Sequence, residues 1–98
     1  MTLEKPMLTL KQTTLFKKDL RRMAKRGANM DLLDNVVTKL LSGETLPAKY
    51  KDHPLTGDWI GYRDCHIEPD WVLIYRIEED QLILLATRTG THSDLFGK

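Results

Sequence analysis

The sequence predicts an α+β domain in which a helical hairpin covers one face of a mainly antiparallel sheet. Three observations predict it. Two stretches with apolar residues at helical spacing follow each other between residues 15 and 41. Three β-favouring runs, separated by short turns, occupy residues 59–88. A short, partly alternating segment, Met7 to Lys11, precedes both. The order is β-α-α-β-β-β.

Pro6 marks the start of the first strand, and Thr13 or Thr14 caps the helix after it. In that helix Phe16, Leu20, Met23 and Ala24 form an apolar stripe. Lys17, Lys18, Arg21, Arg22 and Lys25 make a basic outer face, and Gly27 stops the helix. Asn29 or Asp31 starts the second helix. Its stripe is Leu32, Leu33, Val36, Val37, Leu40 and Leu41, closed by Ser42-Gly43. The short link between the helices implies an antiparallel hairpin. Residues 44–58 contain two prolines and a glycine and read as an irregular connection. Strands are expected from Trp59 to His66, from Trp71 to Ile77 and from Leu82 to Arg88. The middle one is a continuous apolar run, as a strand covered on both faces requires. Short turns at Glu68-Pro69-Asp70 and Glu78-Glu79-Asp80 make the three a meander. Residues 91–96 read as a polar tail ending in an aromatic.

At 98 residues, 41% hydrophobic and 30% charged, the chain is one globular domain. No apolar run approaches the roughly 20 residues of a membrane span. The N-terminal residues lack the apolar block of a signal peptide, so a cytoplasmic protein is expected. A lone cysteine, Cys65, cannot form an internal disulfide. The net charge of +1 hides an asymmetry. Residues 1–30 hold eight basic and two acidic side chains, a net of +6, and the remainder holds seven and twelve, a net of −5. A basic first third can neutralise phosphates or grip an acidic protein, or simply be a solvated helix face.

All three histidines, His53, His66 and His92, lie in the second half, with Asp70 in the turn after His66 and Arg63 and Arg88 on strands. Histidine can both take and give a proton near neutral pH. RNA cleavage without a metal needs that pair of transfers: one group removes the ribose 2′-OH proton and another protonates the leaving 5′-oxygen. A cation offsets phosphoryl charge. The 2′-OH requirement restricts such an enzyme to RNA. Singly, each histidine is as readily a surface or structural residue. Asp70 can be a turn former, Arg63 can pair with Asp64 or Glu68, and Trp59 and Trp71 read as packing residues. Phe96, beside His92, is a candidate for stacking on a base. Strand alternation separates Cys65 from His66, which disfavours a Cys–His nucleophile. Zinc is the competing chemistry for three histidines and Asp70, but no HxxxH, CxxC or HExxH spacing occurs. Glycine-rich phosphate loops are absent as well, so neither a metal nor a cofactor is expected.

The blocks Lys51-Asp52-His53-Pro54-Leu55, Arg63-Asp64-Cys65-His66-Ile67-Glu68-Pro69-Asp70-Trp71 and Arg88-Thr89-Gly90-Thr91-His92-Ser93-Asp94-Leu95-Phe96 closely resemble the YafQ-type toxins of the RelE/ParE toxin superfamily. The resemblance spans residues 46–96. It implies a microbial-RNase-like RelE fold over the single domain 1–98. The implied activity is that of a toxin–antitoxin mRNA interferase, cutting message in the decoding site of the 70S ribosome. The implied partners are a cognate DinJ-like or RelB-like antitoxin and, through that antitoxin alone, operator DNA; no membrane is involved. By the same resemblance His53, His66, Asp70, His92 and Phe96 fall at active-site positions, and Trp71 helps to shape the site and to bind RNA. His92 is then the expected general acid, with His66 and Asp70 as base or orienting groups and His53 positioning the phosphate or sharing proton transfer. Arg63 would neutralise the phosphate. The basic helix would face ribosomal RNA or the antitoxin. The alternative is a non-catalytic RNA- or protein-binding module on the same fold.

Overall fold

A computed structural model of the protein describes residues 7–97. Pro6, expected to mark the first strand's start, lies outside the described residues. The elements are β1 (Thr9–Gln12), α1 (Thr14–Lys25), α2 (Met30–Leu41), β2 (His53–Pro54), β3 (Arg63–Glu68), β4 (Trp71–Glu78), β5 (Ile83–Gly90) and α3 (His92–Phe96). The five strands form one sheet in the order β1-β5-β4-β3-β2. β1 runs parallel to β5, and every other pairing is antiparallel.

Local chemistry fixes both long helices. The Thr13 side chain accepts from the Phe16 amide at 3.0 Å and donates to the Thr87 carbonyl at 2.7 Å, so one hydroxyl caps α1 and ties it to β5. Gly27, at φ +85°, takes the left-handed turn that ends the helix. Asn29 caps α2 by accepting from the Asp31 amide. Phe16 and Met23 of α1 and Leu33, Val36 and Leu40 of α2 pack on Cys65, Leu73, Tyr75, Leu84 and Ala86 of the sheet. Both helices therefore cover the same sheet face. Residues 71–75 of β4 are all buried, as a central strand demands.

Asp19 is a buried charge on α1, and its partners converge on it. Its carboxylate accepts from Arg22 (2.6 Å), from Arg88 (2.8 and 3.2 Å) and from the Thr89 amide (3.1 Å). Two cations and a backbone donor offset the desolvation that an isolated buried carboxylate suffers. They also clamp α1 to the end of β5, next to the segment that carries His92.

Three expectations change. The strand expected from Trp59 begins only at Arg63, because Gly57–Trp59 is a 3₁₀ turn and Gly61 takes φ +92° before the chain straightens. The connection 44–58 holds a 3₁₀ turn at Ala48–Tyr50 and the two-residue strand β2. The tail after β5 is a short helix. Thr91 and Asp94 form a reciprocal capping box at its start.

Candidate active site

Alternation along β3 sends Asp64 and His66 to the sheet face opposite Cys65, Ile67 and the two long helices. β2 lies beside β3 with His53 in register with Asp64. β5 ends at Gly90, and α3 opens at His92. A strand, an edge segment and a short helix thus each deliver one imidazole to the same surface.

The geometry there is specific. His92 contacts Asp70 twice: its backbone amide donates to Oδ1 at 3.1 Å, and its ring Nδ1 lies 2.7 Å from the same oxygen. A carboxylate only accepts, so Nδ1 carries the proton and Nε2 is left for chemistry. These hydrogen bonds hold the Asp70 carboxyl below its ordinary range. The His66 ring stands edge-on to His92, centroids 5.4 Å apart, and the Phe96 ring lies 6.1 Å from His92. His53 Nδ1 donates to the Lys51 carbonyl at 2.7 Å and lies 3.2 Å from Asp64 Oδ1. Lys51 itself adopts the left-handed conformation at φ +50°, which is costly for a residue with a Cβ. The strained residue is the one whose carbonyl fixes the His53 ring.

Asp64 lies at the centre. Its side chain is only 6% exposed, and among the described residues its Oδ1 accepts no well-aligned hydrogen bond, the His53 ring at 3.2 Å pairing with it only as a charged imidazolium. Burial pushes its carboxyl upward, and the charges of His53, His66 and His92 oppose that. All three imidazoles therefore act on one buried acid. Sequence reasoning did not single out Asp64; its position two residues before His66 on a strand was the available signal.

α3 is held from the far side. Asp94 accepts both guanidinium nitrogens of Arg26, at 2.6 and 3.0 Å, and also the Thr91 amide. The Arg26 guanidinium holds the Asp94 carboxyl far below the usual carboxylate range. A Cβ at Gly90 would come within 2.9 Å of Asp94 Oδ2, so the chain needs glycine where α3 folds back. Neither Arg26 nor Asp94 was among the expected site residues.

Several expected residues are placed elsewhere. Trp71, expected to touch RNA, is 2% exposed in the helix-side core, with Nε1 donating to the Thr89 hydroxyl at 2.8 Å. Its ring packs inward, so no face is offered to a base. Arg63 sits opposite Tyr75 in register, on the face away from His66. It pairs with Asp52 at 3.3 Å, and Asp52 also accepts from the Tyr75 hydroxyl at 2.7 Å. Its charge is engaged there and does not face the imidazoles. Arg22 is likewise tied to Asp19 and is not a free cation of the α1 face. Lys17, Lys18, Arg21 and Lys25 are exposed. The Cys65 thiol is pushed up to about 12 by burial, which leaves it unreactive as a nucleophile at neutral pH. Among the described residues, no three His, Cys, Asp or Glu side chains are grouped as metal ligands.

Known proteins share this fold. The model of the YafQ bacterial toxins of type II toxin–antitoxin systems matches residues 8–97. The mRNA interferase toxin YafQ of Escherichia coli K12 is 48% identical over 83 residues, covering 84% of this chain and 88% of its own. The crystal structure of YafQ from E. coli BL21(DE3) superimposes with a TM-score of 0.86 at 43% identity, covering 92% of this chain and 99% of that one. YafQ in the E. coli DinJ-YafQ complex superimposes with a TM-score of 0.84 at 44% identity, with the same coverage. A metal-bound toxin from Helicobacter pylori superimposes with a TM-score of 0.87 at 42% identity, covering 92% of this chain and 100% of that one. Matched by the family model over residues 8–97 and sharing the RelE-like α+β fold of the solved YafQ structures, this chain belongs to the YafQ family of bacterial type II toxins.

Proposed function

We propose that this chain is a ribosome-dependent mRNA interferase. In this reading it cleaves message by metal-independent acid–base catalysis and is neutralised by a DinJ-like antitoxin. One observation carries the chemistry: three imidazoles meet over a buried carboxylate, and one of them has its tautomer fixed by Asp70. His66 takes the proton from a ribose 2′-OH. That oxygen bonds to the adjacent phosphorus, and the P–O5′ bond breaks. His92, acting as an imidazolium whose Nδ1–H is held by Asp70, gives its Nε2 proton to the leaving O5′ and is left as the neutral Nδ1–H form, so the products are a 2′,3′-cyclic phosphate and a free 5′-OH. His53 holds the phosphate, Phe96 orients a base, Asp64 offsets the imidazolium charge that forms on His66, and Asp70 stabilises the imidazolium of His92 before it gives up its proton.

The family supports the setting. A YafQ relative is an mRNA interferase toxin, and another is seen in complex with DinJ. The ribosome and its decoding site as the place of cutting rest on the resemblance of the His53, His66 and His92 blocks to the family. A ribosomal target implies action in the cytoplasm, and among the described residues no helix is long and apolar enough to cross a membrane. The exposed Lys17, Lys18, Arg21 and Lys25 are suited to ribosomal RNA or to an acidic antitoxin surface.

The test is cleavage of message in a translating extract containing enough EDTA to strip weakly bound metal but supplied with the Mg²⁺ that translation needs. Wild type should cut, and His92→Ala should lower cutting by at least ~100-fold while antitoxin binding persists. Stalled translation with intact message would favour a non-catalytic binder. Cutting that depends on an added transition metal would contradict the metal-free chemistry.

A further inference from the structure

Beyond β2, no strand among the described residues pairs with the outer edge of β3, because β2 covers only Arg63 and Asp64. Residues 48–51 stand opposite that open edge. Between them lies a pocket of about 340 Å³ that reaches His66. Its wall includes Lys49, Tyr50 and Lys51 on one side and His66, Ile67 and Glu68 on the other. None of these side chains except His66 has a part in the chemistry above.

We infer that this pocket receives the base of the RNA nucleotide immediately 5′ of the cut, and that Glu68 selects a base carrying an exocyclic amino group. The inference rests on the endonuclease reading above and names a subsite of it. Four features carry it. The pocket and the proton-transfer cluster share His66, so a nucleotide whose 2′-OH meets that imidazole has its base beside the opening. The volume is at the lower end of small-ligand sites and exceeds what a single base needs. The partly exposed Tyr50 ring offers a π-face, and the Lys49 ammonium 5.1 Å above it is a flexible, exposed cation that can move to a phosphate as a base takes its place. Buried Ile67 adds an apolar surface for the base edge.

The selectivity follows from the Glu68 carboxylate. It only accepts hydrogen bonds. Adenine, cytosine and guanine each offer an exocyclic amino group, whereas the donor on uracil's pairing edge is a single ring N3–H flanked by two carbonyl oxygens that a carboxylate repels. Lys51 also links the subsite to catalysis. It lines the pocket, holds the strained left-handed conformation and accepts the His53 Nδ1 proton through its carbonyl. A base seated against residues 49–51 therefore presses on the segment that orients His53.

The experiment is mapping of message ends at nucleotide resolution in a translating extract, for wild type, Glu68→Gln, Tyr50→Ala and Glu79→Gln. Each variant is first checked for an unchanged thermal melt. Wild type should cut after A, C or G in preference to U by about tenfold. Glu68→Gln should bring that ratio close to one, since an amide both donates and accepts. Tyr50→Ala should raise KM while retaining the preference against U. Glu79→Gln removes the same charge from the turn before β5, distant from the pocket, and should leave the ratio as in wild type. A wild type indifferent to U at that position, or a Glu68→Gln pattern identical to wild type, overturns the inference while leaving the endonuclease standing. Message left intact by wild type overturns both.

Discussion

Replacing Asp64 by Asn should separate stability from activity. The carboxylate is 94% removed from solvent, and among the described residues its Oδ1 accepts no well-aligned hydrogen bond, so the charged form forgoes hydration without full compensation. The nearby imidazoles recover part of that loss only when they carry charge. An unsatisfied buried polar atom costs about 1–3 kcal/mol, and a charged one costs more. Asn keeps the side-chain volume and removes the charge. The variant should therefore be at least as stable as wild type near pH 7, with a gain of about 1 kcal/mol raising Tm by about 4–8 °C in a domain of this size. The sign with pH follows from the raised carboxyl: the folded state holds that proton more tightly than the unfolded chain. The cost of ionising Asp64 therefore appears as pH rises through its folded value, and the gap between variant and wild type should widen from pH 4 to pH 7. Activity should move the other way. Asp64 is the buried counter-charge shared by three imidazoles, and its loss should lower cleavage at least ~10-fold. Differential scanning calorimetry across pH, paired with end-mapped cleavage, reads both. An Asp64→Asn protein that melts several degrees lower at pH 7, or that cuts at the wild-type rate, would refute the reasoning.

Other perturbations have equally definite outcomes. Asp19→Asn leaves Arg88 and Arg22 without their shared negative charge, and with one acceptor oxygen in place of two, inside the α1–β5 contact. It should cost about 3–5 kcal/mol, read by urea unfolding. Trp71→Phe removes a buried Nε1–Thr89 hydrogen bond and should cost about 1–3 kcal/mol in the same assay, with no direct effect on RNA affinity, because the ring faces the core. Asp94→Asn weakens the bidentate hold of Arg26 on α3 and should lower kcat more than it raises KM, since it loosens His92 and leaves the substrate surface in place. Because Asp94 is held below the ordinary carboxylate range, that hold is complete above about pH 4, where the unfolded carboxyl ionises. It should fade only as pH falls further, which acid titration of melting in wild type and variant will show.

Much of the architecture was legible because its signals are local. The two apolar stripes and their Thr13, Gly27 and Asn29 boundaries sit within a turn or two of what they control. The all-apolar run of β4 announces a central strand by composition alone. What escaped depends on distant partners. β2 is two residues long and exists only because β3 offers an edge. The parallel pairing of β1 with β5 joins segments more than 70 residues apart. Arg63 was expected to face the phosphate, but its register opposite Tyr75 turns it to the Asp52 side. Trp71 neighbours Asp70 in the chain, yet Asp70 lies in the exposed turn before β4 while Trp71 is the first residue of the strand and packs into the core. The histidines were found by residue chemistry. Asp64 and the Arg26–Asp94 pair were missed because a carboxylate gains its role from burial and from partners, and neither is written at its own position.

The most direct test of proton transfer to and from a ribose hydroxyl is a message with one 2′-deoxynucleotide immediately 5′ of a mapped cut, translated with the wild-type toxin. Attack by the 2′-oxygen predicts that cleavage vanishes at that bond alone, while neighbouring sites on the same message are still cut to leave cyclic phosphates. Cutting at the deoxy position at the usual rate would contradict it, since the convergent imidazoles would then have no hydroxyl to activate.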